Sequence, residues 1–365
     1  MPKKLVVIGN GMAAGRALEE LFSRSPDAYE VTIFGAEPRV NYNRIMLSPV
    51  LSGEKAYEDI LIHDNAWYEA NGVTLHRGKQ VVQIDRDAKH VRAADGTTAE
   101  YDQLLIATGS LPFIIPVPGA SLPGVVTYRD QDDVEAMLAA ARMGGRAVVI
   151  GGGLLGLEAA AGLKAQGMDV TVLHLMPTLM ERQLDPSAGY LLQRAMEERG
   201  IAVRCRANTH AILGETHVTG VKLDDDTELP ANIVVMAVGI KPNAVLAKEA
   251  GLETNRGILV GDDMRTSDPS ILAVGECVEH RGTCYGLVAP LYEMAKVVAA
   301  QLAGDATATY TGSVTATKLK VTGIDLFSAG DFSEADDRQD IVLRDVARGI
   351  YKRVVLKGNH AGIRQ

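Results

Sequence analysis

Apolar residues run together as Leu5-Val6-Val7-Ile8 near the start of the chain and as Ala147-Val148-Val149-Ile150 in its middle, and short unbroken runs of this kind predict buried strands. Each run leads at once into closely spaced glycines and then into helical spacing, over Gly11 to Phe22 in the first case and Glu158 to Gln166 in the second. A second strand follows each helix, Glu30 to Phe34 in the first copy and the segment ending at Leu173 in the other. Short strands come next at Val73 to Leu75, Val81 to Asp85 and Val91 to Ala93, with Asp95-Gly96 as a hairpin turn. Their counterpart is Val218 to Leu229, whose Asp224-Asp225-Asp226 reads as a solvated turn and not as a metal site. A buried strand ending in small residues closes each copy, Tyr101 to Ser110 and Ile233 to Gly239. Prolines 112, 116, 118 and 123 lie between the copies and mark a linker.

This repeat predicts an α/β fold with two Rossmann-like dinucleotide-binding domains. Outside it, residues 40–49 show no period and read as a loop, while Asp59 to Glu69 looks helical, with Trp67 as a packing residue. Past Pro242 a further buried strand, Ile271 to Val274, ends at Gly275-Glu276, and helical spacing runs from Val288 to Leu302. Residues 311–357 form a last small unit, strand-like at Thr315 to Val321, Ile341 to Leu343 and Tyr351 to Leu356.

The glycine turns carry the candidate chemistry. Gly9-Asn10-Gly11-Met12-Ala13-Ala14 is GxGxxA, and Gly151-Gly152-Gly153-Leu154-Leu155-Gly156 is GxGxxG. The first glycine permits the tight turn, the second lets backbone approach a pyrophosphate, and the third small residue lets helix pack on strand. The phosphates then face a helix N-terminus, whose unpaired N–H groups favour an anion. One such motif alone could be a structural turn; two in the same context imply two dinucleotides. Such folds place a carboxylate for the adenosine ribose after the second strand, and Glu37 is the candidate, with a solvated loop acid as the alternative. Arg44, in the aperiodic loop, could clamp a diphosphate through its planar fork or stay a surface residue.

Composition narrows the partners. The chain has 365 residues, 47% hydrophobic and 23% charged, which describes an ordinary globular protein of two or three domains. A net charge of −9 spread over the length argues against a nucleic-acid surface. The apolar run after Met1-Pro2-Lys3-Lys4 is too short for a signal-peptide core, and no membrane-length run occurs, so a cytoplasmic address is expected. Cys205, Cys277 and Cys284 form no CxxC pair and no metal-like spacing with histidine; buried inert thiols are expected, and no metal site.

Taken in order, the chain resembles the two-dinucleotide-binding-domain flavoprotein reductases, and within them the FAD and NAD(P)H modules of bacterial NAD(P)H-dependent nitrite reductase large subunits. The residues carrying the resemblance include Ile8 to Met12, Glu37-Pro38-Arg39, Tyr42-Asn43-Arg44, Ala107 to Ser110, Gly151 to Glu158, Gln183-Leu184-Asp185, Gly275-Glu276-Cys277, Gly286 to Pro290, Lys318-Leu319-Lys320 and Ile350 to Arg353. The resemblance implies an FAD domain built from residues 1–115 and 245–310, an NAD(P)H domain inserted over 116–244, and a small C-terminal α+β domain over 311–365, apparently shortened. It implies that FAD is held by Gly9, Gly11, Met12, Ala13, Ala14, Glu37, Arg44, Val81, Ala107, Thr108, Gly109, Arg129, Glu276 and the helix start at Pro290. NAD(P)H would be held by Gly151, Gly153, Leu154, Leu155, Gly156, Glu158, His174 and Gly239. Hydride would pass from the nicotinamide to N5 of the flavin, with the protein supplying orientation and electrostatics. Glu158 resembles the acid beside the nicotinamide; the alternative is a carboxylate favoured only by the helix dipole.

Departures from the pattern bear on specificity. Where NADH-preferring relatives carry Glu after the second strand of this domain, the chain has His174, and Leu175-Met176-Pro177 supply no arginine for a 2′-phosphate. NADH is the expected coenzyme, with NADPH left open. Pro49 stands where some ferredoxin-reducing relatives have lysine, and no redox cysteine occurs at 41–46, so thiol chemistry there is not expected. The expected acceptor is an external iron–sulfur or sirohaem protein of nitrite or nitrate assimilation, or C-terminal modules missing from this chain. Rubredoxin or ferredoxin reduction is the alternative, and a redox-sensing interaction flavoprotein a third. Lys318 and Lys320 read as strand-surface lysines or as positive charge for a partner, residues 358–365 depart from the family's continuation, and a homodimer is compatible with the resemblance.

Overall fold

In the computed structural model, which describes residues 2–333, 335–345 and 347–357, the departures at 358–365 lie outside the described residues. Packing divides the chain into two compact units. The first comprises Met1–Arg44, Ile60–Leu111 and Ile240–Ser313; the second comprises Ile45–Asp59, Pro112–Gly239 and Val314–Gln365.

The first unit is built on a five-stranded parallel sheet in the order Ile271–Ala273, Gln103–Ile106, Lys3–Ile8, Tyr29–Gly35, Thr74–Arg77. Its inner strands are apolar where both faces are covered, while the edge strand Thr74–Arg77 has no buried residue. Leu5, Val7, Leu104, Leu105, Ile106, Ile271 and Leu272 are fully buried. Helices Met12–Arg24 and Val288–Leu302 pack against one another, and the second matches the span read from its spacing. A three-stranded antiparallel sheet, Val81–Asp85, His90–Ala93 and Thr98–Glu100, turns at Gly96.

The second unit repeats this plan. Its parallel sheet runs Ala202–Cys205, Asp169–His174, Arg146–Ile150, Ile233–Met236, Val125–Thr127, and its antiparallel sheet is Thr209–Gly214, Val218–Leu223, Glu228–Pro230. Asp224 to Asp226 occupy the turn of that sheet, where Asp226 pairs with Lys222 at 2.8 Å. The helix after the glycine turn is Leu154–Ala165, and its Gly162 admits Leu51 of the helix Leu47–Ser52, whose Cγ lies 2.6 Å from where a Cβ would stand. The last described elements of the unit are a hairpin of Arg338–Asp345 and Ile350–Lys357.

Two local expectations change. Residues 44–49, read as part of the loop 40–49, belong instead to a 3-10 turn Arg44–Met46 and the helix Leu47–Ser52, in which Pro49 sits in the first turn and needs no donor. Asp59 to Glu69 is not one helix. The Asn41 carbonyl takes the N–H groups of Ile62 and His63, which interrupts helical pairing, and a new helix Asn65–Ala70 starts where Asp64 accepts from the Trp67 N–H at 3.0 Å. Trp67 stacks on His63, the ring centroids 3.7 Å apart. Among the described residues no helix is long and apolar enough to cross a membrane.

Candidate functional site

Each unit carries its glycine turn at the carboxyl end of its first strand, where open parallel sheets bind ligands. In the first, Gly9 takes φ +110° and donates its N–H to the Phe34 carbonyl at 2.8 Å. A Cβ on Gly9 would stand 2.2 Å from the Ala107 carbonyl oxygen, so a side chain there would drive the strand ends apart. Gly11 caps helix Met12–Arg24 with no side-chain hydrogen bond, no acid lies in the first turn, and the space beside its α-carbon is open for 4 Å. Backbone N–H groups at the start of that helix are therefore left for an anion.

Except for Arg129, the residues expected to hold FAD lie in the same unit as this turn. Gly275 comes within 3.1 Å of the Ala13 Cβ as measured from its own ideal Cβ, which sets Glu276 near the turn; Glu276 accepts from the Ser110 hydroxyl at 2.7 Å. Thr108 donates to the Asn243 carbonyl at 2.7 Å, and Gly109 takes φ +68°. Glu37 accepts from Tyr42 at 2.6 Å and forms an ion pair with Arg44, so the ribose and diphosphate candidates contact one another. Val81 is buried at the start of its strand, and Pro290 is buried in the first turn of Val288–Leu302. Arg129 belongs to the second unit, just before helix Gln131–Met143, and its N–H donates to Asp133 at 2.6 Å.

A polar network under the first turn escaped the sequence reading. Asn41, fully buried, donates to the Gly11 carbonyl at 2.9 Å; Tyr68 donates to Asn10 at 3.0 Å and accepts from the Asn41 N–H at 3.2 Å. The Asn10 Nδ2 group is buried and has no partner among the described residues. An orphaned donor inside a turn whose second glycine faces open space fits a phosphate-bearing cofactor. Asn10 lies within the motif and could have been read there; Asn41 carries no local signal.

In the second unit the same geometry recurs. Gly151 takes φ +122°, donates to the Leu173 carbonyl at 2.8 Å, and leaves 2.2 Å between a would-be Cβ and the Ala237 oxygen. Gly153 caps its helix without a side-chain bond and faces open space. Leu154 is half-buried, Leu155 is exposed, and Gly239 takes φ +120° with open space beside it. His174 ends its strand buried against the turn, accepting the Gly152 N–H on Nδ1 at 3.1 Å.

Glu158 sits in the second turn of its helix, because the helix begins at Leu154 and has no acid in its first turn. Its Oε2 accepts from the Ser48 hydroxyl, which in turn accepts from Tyr128 at 2.9 Å, and its Oε1 accepts the Lys320 N–H at 3.0 Å. Burial raises its pKa above the ordinary carboxylate value, against the pull of the Ser48 and Lys320 bonds. It therefore ties together the segment 45–59, the helix and the segment 314–330. It also lines a cavity of about 770 Å³ with Ser48, Lys164, Arg199, Lys318 and Lys320.

A parallel sheet, a glycine turn and a bare helix start, present twice, define an oxidoreductase of the two-dinucleotide class. Residues 3–304 match the family model "Pyridine nucleotide-disulphide oxidoreductase", and residues 316–361 match "Rubredoxin NAD+ reductase C-terminal domain". The chain belongs to the pyridine nucleotide-disulphide oxidoreductase family, and its place there is that of an FAD-dependent, NAD(P)H-using oxidoreductase. It is 51% identical over 98% of its length to a nitrite reductase [NAD(P)H] of Bacillus subtilis, covering 44% of that protein. It is 45% identical over 97% of its length to the assimilatory nitrate reductase electron transfer subunit of the same organism, covering 46%. The chain thus spans less than half the length of these relatives. Among solved structures, a ferredoxin reductase for the CYP199A2 system of Rhodopseudomonas palustris matches with TM-score 0.89 at 28% identity, over 97% of this chain and 88% of that one.

Proposed function

We propose that the chain is the electron-entry module of nitrite or nitrate assimilation, oxidising NAD(P)H and passing electrons to an iron–sulfur or sirohaem acceptor outside residues 1–365. The observation that carries this reading is the 51% identity over nearly the whole chain to a nitrite reductase. In it, residues 1–115 and 245–310 hold FAD, 116–244 hold NAD(P)H, and 311–365 form a further small domain. Gly9, Gly11 and Ala14 cradle the FAD pyrophosphate with Asn10 as an added donor, and Glu276 and Ser110 face its ribityl chain. The bound flavin supplies a two-electron acceptor that can release electrons singly. Helix Val288–Leu302 turns its N-terminus toward the flavin's negative edge. Gly151, Gly153 and Gly156 hold the coenzyme pyrophosphate, and Glu158 acts as a positioning residue by fixing the helix that carries it. A cytoplasmic address belongs to the same proposal, since reduced nicotinamide is kept inside cells.

The test is anaerobic mixing of the FAD-loaded chain with NADH, followed by addition of the cognate cluster and sirohaem protein and nitrite. Flavin bleaching within seconds and nitrite loss only in the complete mixture support the reading. Persistence of oxidised flavin sinks it, as does nitrite loss without the second protein. Reduction of rubredoxin is the second reading, favoured by the match of residues 316–361; stimulation of cytochrome c reduction by rubredoxin, and not by the cluster protein, would replace the first.

A further inference from the structure

We propose that Glu181, and not the strand-end residue His174, reads the 2′ position of the adenosine ribose in the second unit, and that its carboxylate selects NADH against NADPH. The proposal rests on the second glycine turn being the NAD(P)H site. In folds of this kind a carboxylate after the second strand takes the ribose hydroxyls, and an arginine there takes a 2′-phosphate instead. The strand end here is His174, which has no carboxylate to offer.

His174 is already committed to the turn. Its Nδ1 accepts the Gly152 N–H at 3.1 Å, so the neutral tautomer carries its hydrogen on Nε2, which lies 3.0 Å from Glu181 Oε2. The imidazole is thus a spacer that holds a carboxylate one ring-width from the turn.

The backbone brings Glu181 back to this corner. The Gly152 carbonyl accepts the Met180 N–H at 3.0 Å, and Met180 takes φ +52°, which reverses the chain just before Glu181. Leu179, fully buried, and His174 fill the space where a Gly152 side chain would stand, at 2.5 and 2.7 Å. Residues 174–181 therefore form a loop closed on the middle glycine of the motif. The Glu181 side chain remains 30% exposed, and its Oε1 has no hydrogen-bond partner among the described residues. An ionised carboxylate with a spare oxygen accepts from ribose hydroxyls and repels a phosphate dianion. The competing charges are Arg206, exposed, whose N–H donates to the Met176 carbonyl at 3.2 Å, and the exposed Arg182.

The experiment is calorimetric titration of the full FAD-loaded chain with ADP-ribose and with 2′-phospho-ADP-ribose, probes that carry the ribose and cannot turn over. The wild type is expected to favour ADP-ribose by about tenfold or more. Glu181→Gln, unfolding at the wild-type temperature, should lose that preference through tighter binding of the phosphorylated probe. In kinetics, the ratio of its NADPH KM to its NADH KM should fall. Adding His174→Glu to Glu181→Gln should restore the preference. An unchanged ratio in Glu181→Gln, or a preference that Arg206→Ala controls instead, overturns the proposal while leaving the site reading intact. Binding of neither probe by the wild type overturns the site reading and the proposal with it.

Discussion

The two glycine turns share their first residue's geometry and differ in what fastens them. Gly9 and Gly151 have nearly the same φ, and a Cβ on either would stand 2.2 Å from a carbonyl on the neighbouring strand. The third position differs. The first turn tolerates Ala14, fully buried, whereas a Cβ on Gly156 would stand 1.9 Å from the Gly151 oxygen. The fastenings differ as well. Asn41 reaches the first turn from outside its strand and helix and binds a carbonyl, while His174 reaches the second from the adjacent strand and binds an N–H. The first turn also carries a buried donor at Asn10 with no partner among the described residues. The second is packed by Leu179 and His174 at Gly152, and both turns keep open space beside their second motif glycine, Gly11 and Gly153.

The largest effect should come from breaking the shared feature. Gly151→Val should keep flavin absorbance yet slow NAD(P)H-driven bleaching by roughly 100-fold or more in stopped flow, since the turn can no longer seat a pyrophosphate. Gly9→Val should instead purify without flavin. A chain with Gly151→Val that bleaches at the normal rate would erase the assignment of the two turns.

Next in size is the third position. Gly156→Ala should destabilise the fold by about 2–3 kcal/mol in urea unfolding, through overpacking against the Gly151 carbonyl. Its mirror, Ala14→Gly, should cost only about 1 kcal/mol, from helix propensity. Equal costs would mean that the two helices approach their strands alike.

The fastenings come third. Asn41→Ala should cost about 1–3 kcal/mol, because it removes a buried partner of the Gly11 carbonyl. The loss should appear in the flavin-free protein and so be separable from cofactor binding.

The smallest effect is a pH slope. Glu158 has its folded-state pKa raised by burial, so its protonated form stabilises the fold; that contribution is present below the unfolded value of 4.5 and fades as pH rises through the raised value. Asp185 in the same unit runs the other way: bonds from Tyr351 and Ala188 lower its pKa despite desolvation, so its contribution is lost as pH falls below 3.8. Urea midpoints measured against pH should show the wild type losing stability relative to Glu158→Gln as pH climbs above 4.5. A flat difference would remove Glu158 as a buried tie.

Sequence by itself determined the repeat, both glycine turns, the helix after each and the buried strand that precedes Glu276. These are local signals: a run of apolar residues, the spacing of small residues that a tight turn needs, and a period of 3.6. Those same signals misread 44–49 and 59–69, where Pro49 in a first helical turn and the Asn41 carbonyl decided the backbone. Only the tertiary structure decided what closes each site. It set Ile271–Ala273 beside Gln103–Ile106, bonded Asn41 to Gly11, and brought Ser48 to Glu158 across 110 positions. It also returned Glu181 to the end of the strand at His174. Those contacts join residues with no shared period or motif, so nothing in the local pattern marks them. They follow from which buried faces meet and which polar groups must then find partners.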